Sequence, residues 1–402
     1  MKINTDLHSH SGHSGGVGQI DIKKYLETLP LKGINVFGTG DCLHPEWNRY
    51  LKNSFIINEK TSLLEFNRES QKESETNPSF LLQTEIILTS PLQKTSKGRK
   101  GVHTLILFPN FESIEKTTQF LEKKGMKNTI GRPFIKCSSN NEVSDTLNHI
   151  LDIDDTIEII PAHVMTPQGV YGSINPINNM KDFYGESSER FSAVETGLSA
   201  DPEILSLIPE LDNMTLISNS DAHSHNLNRV GREFSELEMN SLSYENIINA
   251  IRNNNVTLTA EFNPTEGRYF LSGHSDAKSG HSKGEYCIFS PANTPKDHIC
   301  PICNKKITIG VLDRAFEIRD AQGGEDRELG YLTKTRKPYK SLVPLIEIIA
   351  ASTNTISISS KKVIDIYNTI ILLFGTEINL FTQDKKKVQQ ILTDNNISQN
   401  II

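Results

Sequence analysis

The sequence predicts an α/β fold in which strands of a parallel sheet alternate with outer helices, followed by two smaller domains. Short apolar runs alternate with amphipathic stretches over roughly the first 260 residues, a pattern typical of repeated strand–helix units. Acidic and histidine side chains follow several of these runs, at the ends where parallel α/β folds place their chemistry. This placement favours a sheet closed into a barrel over an open sheet.

The composition is that of a globular protein large enough for one big domain and one or two small ones. Of its 402 residues, 36% are hydrophobic and 23% are charged. The formal net charge of −7 argues weakly against a nucleic-acid partner. Bound divalent metals would add local positive charge that this count omits, so the net charge excludes little.

The number of cysteines and the length of the apolar segments predict in which cellular compartment the protein lies. Five cysteines, an odd number, argue against a disulfide framework. The chain begins without the apolar segment of a secretory signal, and its apolar stretches are too short to cross a bilayer. We therefore expect a cytoplasmic protein with no membrane partner.

The first domain is predicted to span residues 1–262. Five short apolar runs in it read as buried strands, and amphipathic stretches between them have the apolar spacing of helices. The predicted strands are residues 34–37, 80–82, 102–108, 157–160 and 216–218, and the predicted helices are residues 113–124 and 142–151.

Two smaller domains are predicted to follow. Residues 263–330 are rich in Gly, Ser, His, Cys and Pro and poor in periodic apolar residues, so this segment needs something other than a core to hold it. From residue 331 to 402, apolar residues such as Leu345, Ile348 and Ile349 recur at helical spacing. We expect a zinc-binding domain followed by a small helical domain.

Two histidines near the start, His8 and His10, are the first candidate metal ligands. On a strand, residues i and i+2 point to the same side, so both imidazoles can reach one ion. An isolated pair would be better explained as two polar surface residues, but further histidines and carboxylates close other apolar runs. Burying so many of these groups would be costly unless metals paired them. The candidate ligands are His8, His10, Asp41, His44, Glu85, His103, His163, Asp221 and His223.

These residues resemble those of the polymerase-and-histidinol-phosphatase (PHP) superfamily. The resemblance rests on Asp-Leu-His-Ser-His-Ser at 6–11, a later glutamate, spaced histidines and Ser-Asp-Ala-His at 220–223. It implies a distorted (β/α)7 barrel that binds up to three divalent metals, Zn, Mn or Mg, at its mouth. The superfamily has Thr-Asp-His where this chain has Gly-Asp-Cys. Cys42 can replace that histidine, Asp41 and His44 can ligate instead, or His13 can serve the third metal.

The second metal motif is Cys300-Pro-Ile-Cys303, which is typical of a zinc knuckle. A redox pair or two free thiols would be the alternative. Zinc is favoured because a segment so poor in apolar residues needs a staple. Cys287 is the predicted third ligand of one structural Zn, and His274 or His281 is the fourth.

The order of barrel, knuckle and helical tail resembles the endonuclease Q family, DNA repair nucleases of archaea and some bacteria. This match extends over most of the chain and is more specific than the superfamily motif. The matching stretches are residues 38–45 with Trp47, 161–164, 195–199, 218–224, 231–233, 309–312 with Arg314, and 342–347.

The resemblance implies hydrolysis of the DNA backbone on the 5′ side of deoxyuridine, deoxyinosine, deoxyxanthosine or an abasic site. Asp221 and Glu85 are the candidate catalytic carboxylates, which bridge or orient, or else act as ligands without proton transfer. A nucleoid-associated protein is implied, and a sliding clamp or another repair protein can recruit it. The candidate contacts to DNA or to the lesion are Tyr171, Glu195, Arg232 and Arg314.

Two other functions compete with this prediction. A small-molecule phosphatase of the same superfamily, acting for example on histidinol phosphate, would not need the zinc and helical regions. A non-catalytic DNA-binding protein with a degenerate barrel would not need so complete a ligand set. Salt-sensitive binding to duplex DNA would exclude the first alternative, and turnover would exclude the second.

Overall fold

The computed structural model describes residues 1–15, 17–18, 20–67, 77–92, 98–267, 269–278, 280–333, 335–398 and 400–401. The strands are β1 (Lys2–Asp6), β2 (Val36–Gly38), β3 (Phe55–Ile57), β4 (Leu64–Phe66), β5 (Ser79–Pro91), β6 (Arg99–Phe108), β7 (Phe134–Lys136), β8 (Glu158–Pro161), β9 (Ala193–Glu195), β10 (Thr215–Ile217), β11 (Phe234–Glu238), β12 (Val256–Glu261), β13 (Ser272–His274), β14 (Cys287–Phe289) and β15 (Tyr339–Ser341).

The α-helices lie between and after these strands. They are α1 (Ile22–Lys32), α2 (Pro45–Ser54), α3 (Phe111–Lys123), α4 (Asn140–Leu151), α5 (Lys181–Tyr184), α6 (Pro202–Leu205), α7 (Tyr244–Arg252), α8 (Val311–Ala321), α9 (Leu345–Ser352), α10 (Lys361–Phe374), α11 (Glu377–Thr382) and α12 (Lys385–Asp394). Short 3₁₀ turns occupy Gly185–Arg190, Pro209–Leu211, Pro264–Glu266 and Pro291–Asn293. Each predicted strand and helix of the first domain overlaps an observed one.

The main sheet has eleven strands and is mixed, so the prediction of a parallel sheet is wrong. Its longest path runs β15-β12-β11-β1-β2-β5-β4-β3, and β6 pairs with β5 and β8. Strands β1, β2 and β5 run parallel, whereas β6 is antiparallel to β5 and β8, and β11 is antiparallel to β1 and β12. The physical reason is that only residues 92–98 separate β5 from β6, which is shorter than the crossover of about a dozen residues that parallel pairing needs.

The remaining barrel-side strands, β9 and β10, form a parallel pair of their own. Strand β9 packs beside β8, and β10 packs beside β12. The two ends of the path β12-β11-β1-β2-β5-β6-β8 therefore approach the same two-stranded sheet. Closure into a seven-unit barrel stays a prediction.

Helix starts and stops follow local capping rules. The side chains of Asn110 and Ser139 accept hydrogen bonds from the backbone N–H groups of the first turns of α3 and α4. Helix α1 begins after the cap Asp21 and ends at Gly33, whose φ of 90° is the left-handed conformation that glycine adopts without a steric penalty. These ends fix where the following strands enter the sheet.

The later regions are held in different ways. Strands β13 and β14 form an antiparallel hairpin around Cys287, Cys300 and Ile307, a very small apolar cluster. Helix α8 packs through Val311 and Ile318 into the main core. Strand β15, inside the segment predicted to begin the helical domain, pairs in parallel with β12 of the main sheet.

Helices α9 to α12 share an apolar cluster, against which Leu31 of α1 and Leu227 also pack. A separate helical domain stays a prediction. None of the helices in the described part of the chain is long and apolar enough to span a membrane.

Candidate metal centre

The predicted ligands converge from segments that follow β1, β8 and β10 and from positions inside β5 and β6. Histidines 8 and 10 follow β1, and an isolated bridge between Ser9 and Ala222 brings them beside the segment that follows β10. Glu85 and His103 lie on the neighbouring strands β5 and β6, and His163 follows β8. Residues separated by more than 200 positions in the sequence therefore share one site.

Seven side chains form three overlapping groups whose candidate ligand atoms lie within 4.8 Å of one another in each group. Glu85 and His10 each belong to two groups, so the three are one continuous cluster. The groups are His8–His10–Glu85, His10–Asp221–His223 and Glu85–His103–His163. We call these seven residues the barrel cluster.

Carboxylates outside the barrel cluster orient two of its histidines. The Nδ1 atom of His8 lies 3.0 Å from Glu195 Oε1, and the Nδ1 atom of His10 lies 3.1 Å from Asp41 Oδ1. A ring whose Nδ1–H is held in this way turns its Nε2 lone pair toward the centre. Both Nε2 atoms indeed face Asp221 Oδ1, at 3.6 Å from His8 and 3.1 Å from His10.

Oxygen atoms hold two further rings of the barrel cluster in the same way. The Nδ1 atom of His163 lies 2.7 Å from Thr166 Oγ1, and that of His223 lies 2.8 Å from the Asp221 carbonyl oxygen. His103 differs, because its Nδ1 lies 2.5 Å from Glu85 Oε1, inside the barrel cluster. Glu85 Oε1 is also 3.0 Å from His163 Nε2, which makes Glu85 the central acceptor.

The barrel cluster has the unsatisfied polar atoms that bound divalent metals would satisfy. Four of its atoms are buried and have no hydrogen-bond partner: His8 Nε2, Glu85 Oε2, His103 Nε2 and Asp221 Oδ1. Leaving such atoms unpaired costs about 1–3 kcal/mol each. Imidazole nitrogens and carboxylate oxygens are ligands that suit Zn, Mn and, for the oxygens, Mg. The residues present therefore fit divalent metal ions.

Electrostatics keep the carboxylates of the barrel cluster charged. Burial opposes ionisation of Glu85, but the adjacent ring of His103 and further histidines outweigh it and hold the pKa of Glu85 well below its usual value. The pKa of Asp221 is likewise lowered, against its burial, by His8 and His10. Burial alone would lower the pKa of His8, but Glu195 and Asp221 raise it to about 9 when no metal is bound. A metal ion bound at His8 Nε2 would therefore displace a proton. The negative potential of these carboxylates favours cations.

Three residues that follow strands near the barrel cluster have strained backbone conformations. Asp41, His163 and Asp221 have φ values of 40°, 30° and 46°, which residues other than glycine rarely adopt. Gly197 also has positive φ, and a Cβ there would lie 2.3 Å from the Cβ of His163. Only glycine therefore lets the segment after β9 pass beside His163.

The structure does not bring all the predicted ligands into the barrel cluster. Both oxygens of Asp41 are used by His10 and Ser11, so Asp41 holds a ligand instead of pointing at the centre. His44 begins α2 and stacks on the ring of His13 at 4.2 Å. Cys42 is fully buried in the main apolar core, and burial raises its thiol pKa well above the usual value. Cys42 is thus a core residue.

The predicted DNA contacts require a larger correction. Tyr171 is fully buried and donates to Glu210 Oε2 at 2.6 Å. Arg314 is also buried, and donates to Glu317 and to the carbonyls of Tyr171 and Ile177. Neither side chain presents a surface to DNA. Tyr171 and Arg314 were predicted from their positions in the sequence, and a position in the sequence does not show whether a side chain is buried.

The other two predicted contacts lie near the barrel cluster. Glu195 is buried, and besides His8 it accepts from the backbone N–H of His163 and the side chain of Asn219, so its oxygens are not open to a nucleotide. Arg232 is half-buried and donates twice to the Ser220 carbonyl oxygen. Arg232 thus supports the turn that presents Asp221.

Sequence reasoning missed Arg132, whose Nη1 lies 3.8 Å from Glu85 Oε2. It precedes β7, whereas the prediction considered only residues that follow apolar runs. The motif Gly131-Arg132-Pro133, a glycine and a proline around one arginine, is the signal that could have identified it as part of a constrained loop.

A second candidate metal site lies in the hairpin region. The ligand atoms of His274, His281, Cys300 and Cys303 lie within 4.8 Å of one another. Cys287 Sγ is 3.5 Å from Cys300 Sγ, beside this group. We call the five residues the hairpin cluster. Sulfur and imidazole donors in a segment almost without a core fit a structural zinc ion.

Comparisons with known proteins agree with this architecture. The lesion-specific endonuclease PfuEndoQ of Pyrococcus furiosus matches 100% of this chain and 90% of its own, with a TM-score of 0.78 and 28% sequence identity. An endonuclease Q complexed with a 27-mer duplex that has an abasic lesion at the active site matches 98% of this chain and 92% of its own, with a TM-score of 0.75 and 27% identity.

Comparisons by sequence alone reach less far. An uncharacterised protein of Methanocaldococcus jannaschii is 33% identical over 193 residues, which are 46% of this chain and 22% of that protein. The present chain thus spans about a fifth of that relative's length. No protein-family model matches the sequence.

Proposed function

Because this chain belongs to the endonuclease Q family, we propose that it is a metal-dependent DNA endonuclease that acts in repair. The observation that supports this most directly is the barrel cluster, with four buried ligand atoms that lack a partner. Together with a similarity over the whole chain, it favours phosphodiester hydrolysis over a purely binding role.

The proposed substrate is duplex DNA containing deoxyuridine, deoxyinosine, deoxyxanthosine or an abasic site, cut on its 5′ side. The duplex bound by one structural relative has an abasic lesion at the active site, which supports a damaged nucleotide as the target. Deaminated bases pair poorly, so their extrusion from the helix costs less than that of a normal base. Recruitment by a sliding clamp or another repair protein is part of the same proposal.

The proposed chemistry divides between metals and side chains. Divalent ions held by the barrel cluster would supply a bound water of lowered pKa and offset charge on the leaving oxygen. Glu195 and Asp41 fix the orientation of the His8 and His10 rings. The side chain of Asp221 is 28% exposed, compared with 1% for Glu85. Asp221 is therefore the carboxylate that can contact substrate or solvent, and Glu85 acts from inside.

A pocket beside the barrel cluster is a suitable place for an extruded nucleotide. It has a volume of about 510 Å³ and is lined by His13, Ile20, Asp21, Lys24, Trp47, Tyr50 and His225. The buried ring of Trp47 stacks on that of Tyr50 at 5.0 Å and 14°, and Tyr50 is 38% exposed. Aromatic faces are the usual platforms for bases, so Tyr50 is the candidate platform. His13 and His225 each follow a ligand of the cluster by two or three residues. This pocket replaces Tyr171 as the proposed lesion contact.

The hairpin cluster and the helical region are proposed to support the duplex. One structural zinc would hold the β13–β14 hairpin against the turn between Cys300 and Cys303. The hairpin exposes Tyr286 and Ile288, and the turn exposes Ile302. A small phosphate ester would need no such platform.

The test is cleavage of end-labelled duplexes that contain one deoxyuridine, one deoxyinosine or one abasic site, with Mg or Mn present. We expect a single cut on the 5′ side of the lesion, none in undamaged DNA, and none with Asp221→Ala. Asp152→Ala, at an exposed surface ion pair, is the matched control and should cleave normally. Hydrolysis of generic phosphate esters without any cleavage of damaged DNA would refute the repair function.

A further inference from the structure

Arg132 lies beside the barrel cluster but forms no hydrogen bond with the residues that the structure describes. Its Nε is buried without a partner. Other arginines of the chain, such as Arg99 and Arg327, donate to carbonyl or carboxylate oxygens. A guanidinium cannot shed its charge in a protein, so a buried unpaired donor on it is costly.

The loop before β7 fixes the position of this side chain. The backbone N–H of Ile87 in β5 donates to the Pro133 carbonyl oxygen at 2.7 Å, which ties the loop to the strand that contains Glu85. Gly131 has φ of 75°, and a Cβ there would lie 3.0 Å from Asp41 Oδ2. The loop is therefore pressed between Asp41 and β5, and Arg132 follows the point of closest approach.

Charge balance explains what Arg132 can bind. Its nearest carboxylate is Glu85, whose Oε2 lies 3.8 Å from Nη1 and forms no hydrogen bond. Glu85 is also a proposed metal ligand. Bound metal ions would neutralise its carboxylate, which would then no longer neutralise the charge of Arg132. Arg132 would then lie beside bound cations, and an added anion would offset the repulsion between them. The side chain is 22% exposed, so a ligand can reach it from solvent.

On the basis of the proposed function, we propose that Arg132 binds a non-bridging oxygen of the scissile phosphodiester and stabilises the charge that grows there during hydrolysis. The planar guanidinium has parallel N–H donors whose spacing matches two phosphate oxygens. A hydrogen-bond donor that is already positioned where negative charge develops in the transition state raises kcat by about 100-fold to about 1000-fold. Arg132 would therefore be a catalytic residue.

The experiment compares Arg132→Ala and Arg132→Lys with Arg190→Ala, an arginine in an exposed pair with Asp152. Two readouts need no damaged DNA: calorimetric binding of inorganic phosphate to the metal-loaded protein, and hydrolysis of bis(p-nitrophenyl) phosphate. We expect Arg132→Ala to weaken phosphate binding about tenfold and hydrolysis about 100-fold, with unchanged metal content. Added guanidinium should restore part of the hydrolysis by Arg132→Ala.

Two outcomes would overturn the proposed role of Arg132, and a third would refute only the repair function. Phosphate binding equal to that of Arg190→Ala would overturn the proposal. A slow Arg132→Ala enzyme that guanidinium does not rescue, or that has lost metal, would show a structural role and also overturn it. Failure of the wild type to cut damaged duplexes, with a full Arg132 effect on the diester, would refute the repair function but leave Arg132 as a phosphate-binding residue.

Discussion

Lys32 and Glu377 form a buried ion pair between the first helix and the helical tail. The Lys32 Nζ atom lies 2.6 Å from Glu377 Oε1, and the two side chains are 1% and 3% exposed. Glu377 also accepts from the backbone N–H of Leu345 at 3.0 Å and from the Tyr367 hydroxyl at 2.8 Å. One carboxylate therefore joins α1, α9, α10 and α11.

We predict that Lys32→Ala destabilises the protein by about 3–5 kcal/mol, because it leaves the carboxylate of Glu377 buried without its counterion. Urea unfolding measures the change, and limited proteolysis should show earlier cleavage in residues 345–394. The control is Lys2→Ala, which removes an exposed pair with Glu236 and should change little. Equal stability of Lys32→Ala and the wild type would mean that the tail does not depend on this pair.

Glu195 should control metal affinity through His8. Glu195→Gln keeps the shape of the side chain but removes the charge that holds the His8 Nδ1–H, and such partners are worth about 10-fold to about 100-fold in metal affinity. Metal titration of the purified protein, followed by elemental analysis, measures the loss. Glu210→Gln is the matched control, since Glu210 accepts from Tyr171 away from the barrel cluster. Identical titrations for both variants would contradict the role of Glu195.

The hairpin cluster should bind metal independently of the barrel cluster. We expect Cys300→Ser to lose one equivalent of zinc and to expose residues 270–310 to protease, because little apolar core remains there to hold the hairpin. Metal bound by the barrel cluster should stay constant. Cys137→Ala, which alters a buried thiol that belongs to neither cluster, serves as the control and should keep all metals. Retention of every zinc ion by Cys300→Ser would exclude this site.

Glu261 should make the protein less stable as the pH rises. Burial raises its pKa to about 7, against the hydrogen bonds from Ser218 and Thr196, whereas an unfolded glutamate titrates near about 4.3. The folded state thus holds this proton more tightly. The resulting stability is present below the unfolded pKa and is lost as the pH rises through the folded one.

The Glu261→Gln variant tests this pH dependence. Gln cannot ionise, so between about pH 5 and about pH 7 the variant should lose less stability than the wild type, by up to about 1.4 kcal/mol per pH unit. Urea unfolding across this range measures both slopes. Exposed Glu238→Gln should follow the wild type. Parallel slopes for Glu261→Gln and the wild type would disprove the contribution of Glu261.

The sequence determined the chemical types present and the segments that contain them. Apolar runs of strand length predicted β6 and β8, and five residues of the barrel cluster lie on or shortly after the predicted runs. His8 and His10 instead follow β1, which the apolar runs did not predict. The Cys300-Pro-Ile-Cys303 motif also predicted a metal site where the hairpin cluster lies. Strands and motifs can be predicted in this way because periodicity, turn residues and knuckle spacing are local properties of the chain.

Tertiary structure alone decided which groups act together. His8 and Glu195 are 187 positions apart, and only packing of β1 near β9 makes them partners. Other tertiary contacts cover Tyr171 and Arg314, turn Asp41 toward His10, and bring Arg132 beside Glu85. Burial and side-chain direction depend on contacts between distant segments, which the local periodicity of a single sequence does not contain.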